Sequence, residues 1–402
     1  MDSLRRSGRV QLKIVHVITR LIVGGAQENT LLTCEGLRRR GQEVILITGP
    51  SRGPEGSLLP RARSGGYEVM ELPALRRNPH PAADFSAYGE LRRIFARFQP
   101  DVVHTHSSKA GILGRAAAWK QRVPVIVHTM HGLAFHPYQG RLINMGWILL
   151  ERWAARRCHA IVAVADAMTR QALREGIGRP EQFTTIYSGM EIDKFTPRPE
   201  ARQLARRKLG IGPEKIVIGT IARLQPLKGH DDILKIAPRV LACEPNLHFL
   251  WIGDGVFNDR FQSEIRSRNW SDRFTLTGLV SPEQVAELIP AMDILLHPSY
   301  REGLPRAVPQ ALLAGVPVIV YDCDGAAEIC LHSRTGVLIQ PGDIATMGDA
   351  VLELTGDADK RRRLGQAGRE LAASLFDANI MVAKLETLYE KLHAKFSPEE
   401  PR

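Results

Sequence analysis

Short runs of β-branched and apolar residues alternate with helix-length amphipathic segments along most of this chain. In the first half the runs are KIVHVIT, VILITG, YEVMEL, DVVHTH, VPVIVHT, AIVAVA and FTTIYS. Between the first two, AQENTLLTCEGLRRRG sets Leu31, Leu32 and Leu37 at helical spacing and ends on Gly41, a stop signal. Continuous apolar strands alternating with helices predict a parallel sheet covered on both faces. SGMEIDKFTPRPEARQ, with two prolines and a charged run, interrupts the pattern and reads as a linker. The alternation then restarts with KIVIGTIARL, LHFLWIGDG, FTLTGL, DILLHPS, VPVIVYD and GVLIQP. The expected architecture is α/β, two doubly wound halves joined near residues 190–198. SLFDANIMVAKLETLYEKLHAK predicts a final amphipathic helix with no strand after it, and SPEEPR a frayed tail.

A length of 402 residues fits two domains better than one core. Runs such as AIVAVA fall far short of the roughly 18–20 residues of a membrane span. Arg5, Arg6 and Arg9 precede an apolar stretch broken by Lys13, His16 and Arg20, so no signal peptide is expected. Five cysteines (Cys34, Cys158, Cys243, Cys323 and Cys330) give an odd count without CxxC spacing. That fits a reducing cytoplasm and neither a disulfide framework nor a zinc site. Charge becomes informative once divided: residues 1–190 hold 27 Lys and Arg against 14 Asp and Glu, while the whole chain carries +11. All the basic excess is therefore in the first half. A phosphate-bearing substrate or an anionic membrane surface suits it, and an ordinary solvated basic face accounts for it equally.

In doubly wound sheets the ligand lies beyond the carboxyl ends of the strands, and a cleft between two such domains is the expected site. Gly24-Gly25 follow the first strand and precede a helix, where bare backbone lets a phosphate approach. A tight turn explains them as well, and the absence of GxGxxG argues against a nicotinamide or flavin. Arg223 ends the first strand of the second half, with Lys228 shortly after; two cations there suit a diphosphate, or form a plain basic surface. His104, His106, His128, His131 and His136 cluster after strands. Strand alternation sends His104 and His106 to one face but His128 and His131 to opposite faces, and no carboxylate or Cys completes a metal set. Polar contacts at the rim of a site are the expected role, with His131 the best candidate to touch substrate. In HPSYREGLPRAVPQALLAG, Glu302 lies in a loop at a strand end. Pro305 suits the first position of a helix running to about Ala314, with Gly315 its stop. Pro309 predicts a mild distortion. Read alone, Glu302 caps this helix and Gln310 is a solvated helix residue.

The ordered set VGGAQ, HTMHG, IYSGMEIDKF, IARLQPLKG, WIGDG, HPSYREGLP with its Gln, and DGAAEI resembles glycosyltransferase family 4, the retaining nucleotide-sugar enzymes of the GT-B fold. The match runs from about residue 12 to 395. The resemblance implies two Rossmann-like domains facing a central cleft. An acceptor-binding domain would cover 1–193 and a donor-binding domain 194–373. The stretch 374–402 would carry a helix that packs back on the first domain. It implies metal-independent transfer of a hexose from a nucleoside-diphosphate sugar, with no cofactor. Arg223 and Lys228 match the cations on the donor diphosphate. Glu302 matches the first Glu of the E-x7-E motif, at the sugar hydroxyls; Gln310 stands at the second, at the ribose. His131 matches the His-Gly at the donor sugar, and Gly24-Gly25 the loop near the diphosphate. Gly253, Gly255, Val280, Gly303 and Leu304 are likewise set among the donor contacts. Five positions depart from the family pattern: Gln310 for Glu, Leu304-Pro305 for Phe-Gly, His159 for Asp and Ala165 for Ser.

The implied chemistry is retaining transfer to an acceptor hydroxyl. Arg223, Lys228 and helix N-termini would stabilise the departing diphosphate, and the leaving phosphate would take the acceptor's proton. Domain closure would exclude water. The acceptor expected is a saccharide or lipid-linked saccharide of a cell-surface polysaccharide or glycoconjugate, reached at the inner face of the cytoplasmic membrane. No nucleic acid is expected. Leu142, Met145, Ile148, Leu149 and Trp153 make an apolar stripe flanked by arginines, which suits a membrane surface or a core-facing helix. Two rivals stand beside this reading: a nucleotide-sugar epimerase of the same fold, and a non-catalytic nucleotide-sugar-binding partner subunit.

Overall fold

The computed structural model describes residues 11–51 and 55–397. Arg5, Arg6, Arg9 and the tail beyond Ser397 lie outside the described residues. All thirteen strands expected from the alternation are present. The first seven are β1 (Lys13–Arg20), β2 (Glu43–Gly49), β3 (Glu68–Glu71), β4 (Val102–His106), β5 (Val125–Met130), β6 (Ala160–Ala163) and β7 (Phe183–Thr185). They form one parallel sheet in the order β3-β2-β1-β4-β5-β6-β7. The other six are β8 (Ile216–Ile221), β9 (Leu247–Ile252), β10 (Phe274–Leu276), β11 (Ile294–His297), β12 (Val318–Tyr321) and β13 (Gly336–Ile339). Their parallel sheet runs β10-β9-β8-β11-β12-β13. Strand order reverses between β1 and β4 in one sheet and between β8 and β11 in the other, the switch points of doubly wound folds.

The chain divides into two compact units: Met1–Gly189 with Ala378–Arg402, and Met190–Asp377. Both breaks fall a few residues from the expected ones for one reason. The Met190 N–H donates to the Phe376 carbonyl at 2.7 Å, and Met190 bridges to Asp377. The second unit thus fastens its own two ends together. The same junction corrects the single helix expected from Ser374 onward. One helix, Ala358–Leu375, ends there and another, Ala378–Phe396, begins.

In the first unit, Val44, Leu46, Val102, Val125 and Val127 pack with Met381, Val382, Leu385 and Tyr389 of the final helix. That helix crosses the helix Gly25–Arg39 at Gly36, where an added Cβ would lie 2.5 Å from Val382. Glu386 receives Arg40 Nε at 2.6 Å and Gln42 Nε2 at 3.0 Å, while Gln42 Oε1 accepts the Leu12 N–H at 2.7 Å. The core of the second unit gathers Ile218, Phe249, Trp251, Leu296 and Tyr321 with Phe261 and Phe274. Trp251 meets Phe261 and Phe274 edge-on, the arrangement that ring quadrupoles favour.

Candidate active site

The second unit holds Arg223, Lys228, Gly253, Gly255, Val280, Glu302, Gly303, Leu304 and Gln310. Beyond the carboxyl ends of β8 and β9 the loops stay paired: Ala222 N–H donates to Ile252 O, and Leu224 N–H to Asp254 O. Gly253 sits between them at φ +140, and a Cβ there would lie 2.2 Å from Ala222 O. No other residue fits so close a backbone. Gly253 also bridges to Gly278 after β10, which places half-buried Val280 beside the same loops. The Gly255 N–H is taken by Asp254 Oδ1 at 2.8 Å. A Cβ on Gly255 would lie 2.4 Å from Leu224 O, so both glycines of WIGDG have a packing reason of their own. Arg223 is exposed on this rim, and its guanidinium has no hydrogen-bond partner among the described residues.

At the switch point, Leu227 at φ +66 and Gly229 at φ +75 turn the chain into the helix His230–Cys243. A Cβ on Gly229 would lie 2.0 Å from Pro298 O. Leu227 O accepts the Tyr300 N–H at 2.9 Å and the Ser299 hydroxyl at 3.2 Å. These bonds bind the loop after β8 to the loop after β11. As a result, Lys228 Nζ stands 2.5 Å from Glu302 Oε1, with His297 Nε2 3.3 Å from the same oxygen. Burial alone would push the Glu302 carboxyl up. Lys228 and the bond from His297 more than reverse that, holding it well below the usual carboxylate range.

Two further contacts hold Glu302 in place. Its N–H donates to Asp324 Oδ2 at 2.8 Å, and Gly325 N–H donates to Gly303 O at 3.3 Å. Asp324 itself sits at φ +47. Beneath the loop, buried Asp232 receives the hydroxyls of Tyr300 at 2.5 Å and Tyr321 at 3.0 Å, and Lys235 at 2.7 Å. This network joins the first turn of the helix His230–Cys243 to the loop that carries Glu302.

The helix bearing Gln310 is shorter than Pro305 suggested, running Ala307–Leu313. Pro309 falls in its first turn, where its missing N–H would have had no partner within the helix, so no distortion follows. Gln310 is buried, not solvated, as are Gly303 and Leu304.

Gly24, Gly25 and His131 belong to the first unit. Gly24 caps the helix Gly25–Arg39 at φ 175. That is extended backbone open to any residue, so its geometry makes no demand for glycine. His131 follows β5 and is half-buried, with Nε2 3.1 Å from His106 Nδ1. The alternation is as expected: His104 and His106 share a face, whereas His128 Nδ1 bonds Thr105 Oγ1 at 2.9 Å. His16 of β1 joins the first face, and nitrogens of His16, His104 and His106 lie within 4.8 Å of one another. Three imidazoles so placed outline a metal set. Five of their six nitrogens are hydrogen-bonded, and His16 Nε2 has no partner among the described residues. His104 bonds Tyr389 OH at 2.5 Å and Thr129 Oγ1 at 2.6 Å, and His106 bonds His16 and His131. Burial and neighbouring imidazoles hold His104 and His106 far below the usual histidine range. His136, after the same strand, lies apart from this set and shares its backbone bonds with Asn144. Of the departures, His159 Nδ1 accepts the Ile126 N–H at 2.9 Å, a task a carboxylate can do. Ala165 leaves its helix without a side-chain cap.

A model described as glycosyl transferases group 1 matches residues 201–371, and a glycosyl transferase 4-like domain matches 24–189. The chain belongs to the family 4 glycosyltransferases. It is 28% identical over 355 residues to the Escherichia coli UDP-Gal:alpha-D-GlcNAc-diphosphoundecaprenol alpha-1,3-galactosyltransferase, covering 88% of this chain and 90% of that one. It is 27% identical to the D-inositol 3-phosphate glycosyltransferase of Nocardia farcinica, covering 90% and 84%. The crystal structure of Anabaena HepE with UDP-glucose superposes with a TM-score of 0.81 at 20% identity, covering 94% of this chain and all of that one. This glycosyltransferase uses a nucleotide-sugar donor. Sequence reasoning missed His297, Asp324 and the Asp232–Tyr300–Tyr321 set around Glu302 in the second unit, and His16 beside His106 in the first. Asp324 stood in DGAAEI and His297 opened the Glu302 stretch, so a signal existed for both. Asp232 looked only like a first-turn acid.

Proposed function

We propose that this glycosyltransferase moves a hexose, with retention and without a metal, from a nucleoside-diphosphate sugar to a lipid-phosphate-linked saccharide. The observation that carries the reading is the Lys228–Glu302 pair at the β8/β11 switch point. Glu302 is held anionic by Lys228 and His297, so at neutral pH it accepts hydrogen bonds from sugar hydroxyls and does not act as a proton donor. The acceptor's proton then goes to the leaving phosphate, whose charge Lys228 and the exposed Arg223 stabilise in place of a metal ion. Gln310 offers both an acceptor and a donor to the ribose hydroxyls. His131, Gly24 and Gly25 belong to the donor's surroundings by family position. Gly253, Gly255, Val280, Gly303 and Leu304 would do so through the loops that present the donor.

The test is transfer from a panel of sugar nucleotides to a membrane extract, with the product's anomeric configuration read by NMR and the assay repeated in EDTA. Arg223→Ala should lower kcat/KM on the order of 100-fold. Unchanged transfer in this variant, or an inverted product, defeats the reading. Conversion of the donor without an acceptor would make the protein an epimerase.

The lipid acceptor is favoured by the helix Arg141–Ala155. It buries Glu151, paired with fully buried Arg115 at 2.7 Å, together with Ala154 and Ala155. Its apolar stripe is not core: Leu142 is 79% exposed and Leu149 56%, beside Ile143, Met145, Leu150 and Trp153. Arg141, Arg152, Arg156 and Arg157 flank it. Among the described residues no helix is long and apolar enough to cross a membrane. An apolar face edged with arginines fits an anionic lipid surface instead. In flotation with liposomes, the protein should rise with anionic vesicles more than with neutral ones. Leu142→Asp with Leu149→Asp should leave it at the bottom, and equal flotation with both lipids removes the membrane role.

A further inference from the structure

Three imidazoles stand in file across the first sheet. His131 Nε2 meets His106 Nδ1 at 3.1 Å, and His106 Nε2 meets His16 Nδ1 at 2.9 Å. The file begins at a half-buried ring and ends on a fully buried one. Its last atom, His16 Nε2, is buried with no hydrogen-bond partner among the described residues. Rings of neighbouring residues stack along it, with His16 and His106 centroids 5.2 Å apart and His106 and His131 5.4 Å apart. The register of the sheet makes this possible. His106 lies opposite Ile18 on β1 and Thr129 on β5, so its ring faces both neighbours.

A neutral imidazole carries one N–H, so every link in such a file points the same way. If the N–H groups point inward, His131 donates to His106 and His106 to His16, and His16 is left with an N–H in the interior that nothing accepts. If they point outward, His16 Nδ1–H donates to His106 Nε2 and His106 Nδ1–H to His131 Nε2. The remaining N–H is then on Nδ1 of His131, the ring nearest solvent, and the buried end is only a lone pair. An orphaned buried N–H is the rarer and costlier of the two. Burial keeps the two inner rings neutral: His16 is pushed down to about 3 and His106 well below its ordinary value.

We propose that His106 and His16 are positioning residues that fix His131 in its Nδ1–H tautomer, making it a neutral hydrogen-bond donor. This rests on the reading of His131 as a donor-sugar contact. There, an N–H aimed at a sugar or phosphate oxygen helps, whereas a bare nitrogen would repel it. His104 holds the file in place from beside it, its ring centroid 4.3 Å from that of His106 and its nitrogens committed to Tyr389 and Thr129.

The test is nitrogen NMR on the whole enzyme labelled with 15N-histidine, with the His131 signals assigned by their loss in His131→Asn. The expected spectrum shows a protonated Nδ1 and a bare Nε2. His16→Phe, two rings away, should shift both signals toward a mixture of tautomers. His16→Asn, whose amide can donate where Nδ1 did, should restore them. A wild-type His131 carrying its proton on Nε2 overturns the proposal, as does a His16→Phe spectrum identical to wild type. Should His16→Phe fail to fold, the wild-type spectrum decides alone. Because no sugar transfer is read, loss of the transferase reading would leave this result standing.

Discussion

Glu302→Ala should lower kcat on the order of 100-fold or more, while Gln310→Ala should raise the donor KM several-fold with kcat near wild type. Glu302 is anchored three ways: its carboxylate by Lys228 and His297, and its N–H by Asp324. A group held so firmly before substrate arrives is placed for the transition state, where misplacement is costly. Gln310 is a neutral amide, and in the proposed placement its bonds to a ribose would be the same before and during transfer. It would therefore supply uniform binding, which appears in KM. Glu302→Gln separates the roles further. It keeps the shape but releases Lys228 from a counterion, so affinity for the nucleoside diphosphate alone should hold or rise while turnover falls. Steady-state kinetics on the donor, with calorimetry on the nucleoside diphosphate, reads both. Full turnover in Glu302→Ala would undo the placement of the sugar.

Mild acid should destabilise the first unit sharply. His16, His104, His106 and His128 are buried, and desolvation leads the causes that lower each of them from 6.5. The unfolded chain takes up protons below pH 6.5 that the folded one refuses, so unfolding free energy falls as pH falls. For each histidine the loss begins at its unfolded pKa and continues down to its folded one, about 3 for His16. Over the first pH unit below 6.5 each costs about 1 kcal/mol, and the four together roughly 4 kcal/mol. That is a large share of a typical domain's 5–15 kcal/mol. Glu302 acts in the second unit and only at lower pH, its contribution there being lost as pH falls below about 4.5. Chemical denaturation of the first unit at pH 7.5 and pH 5.5 should show a midpoint well lower at the second pH. Equal midpoints would mean that the imidazoles protonate in place.

The two sheets were legible because parallel strands buried on both faces write themselves as apolar runs, and all thirteen were visible. Lys228 and Glu302 were legible as strand-end residues with chemistry. Their pairing was not, because the bonds that make it run through backbone atoms of Leu227 and Tyr300, which no side-chain pattern reveals. The helix start two residues after Pro305 was hidden similarly. Proline announces a permitted first position and does not compel one. His16 was passed over because it sits mid-strand among Ile and Val, and only register against β4 turns it into a partner of His106. The stripe on Arg141–Ala155 was ambiguous in sequence, since helical spacing is the same for a face that meets core and one that meets solvent.

The fastening of Met190 to Phe376 and Asp377 has a consequence for synthesis. Everything the second unit needs lies between those residues, so it can finish folding while the ribosome still holds the final helix. The first unit begins earlier yet ends last. Its β4 face lacks Tyr389, and Gln42 lacks Glu386, until the last residues emerge. A released chain truncated after Asp377 should therefore expose a protease-sensitive first half beside a resistant second one.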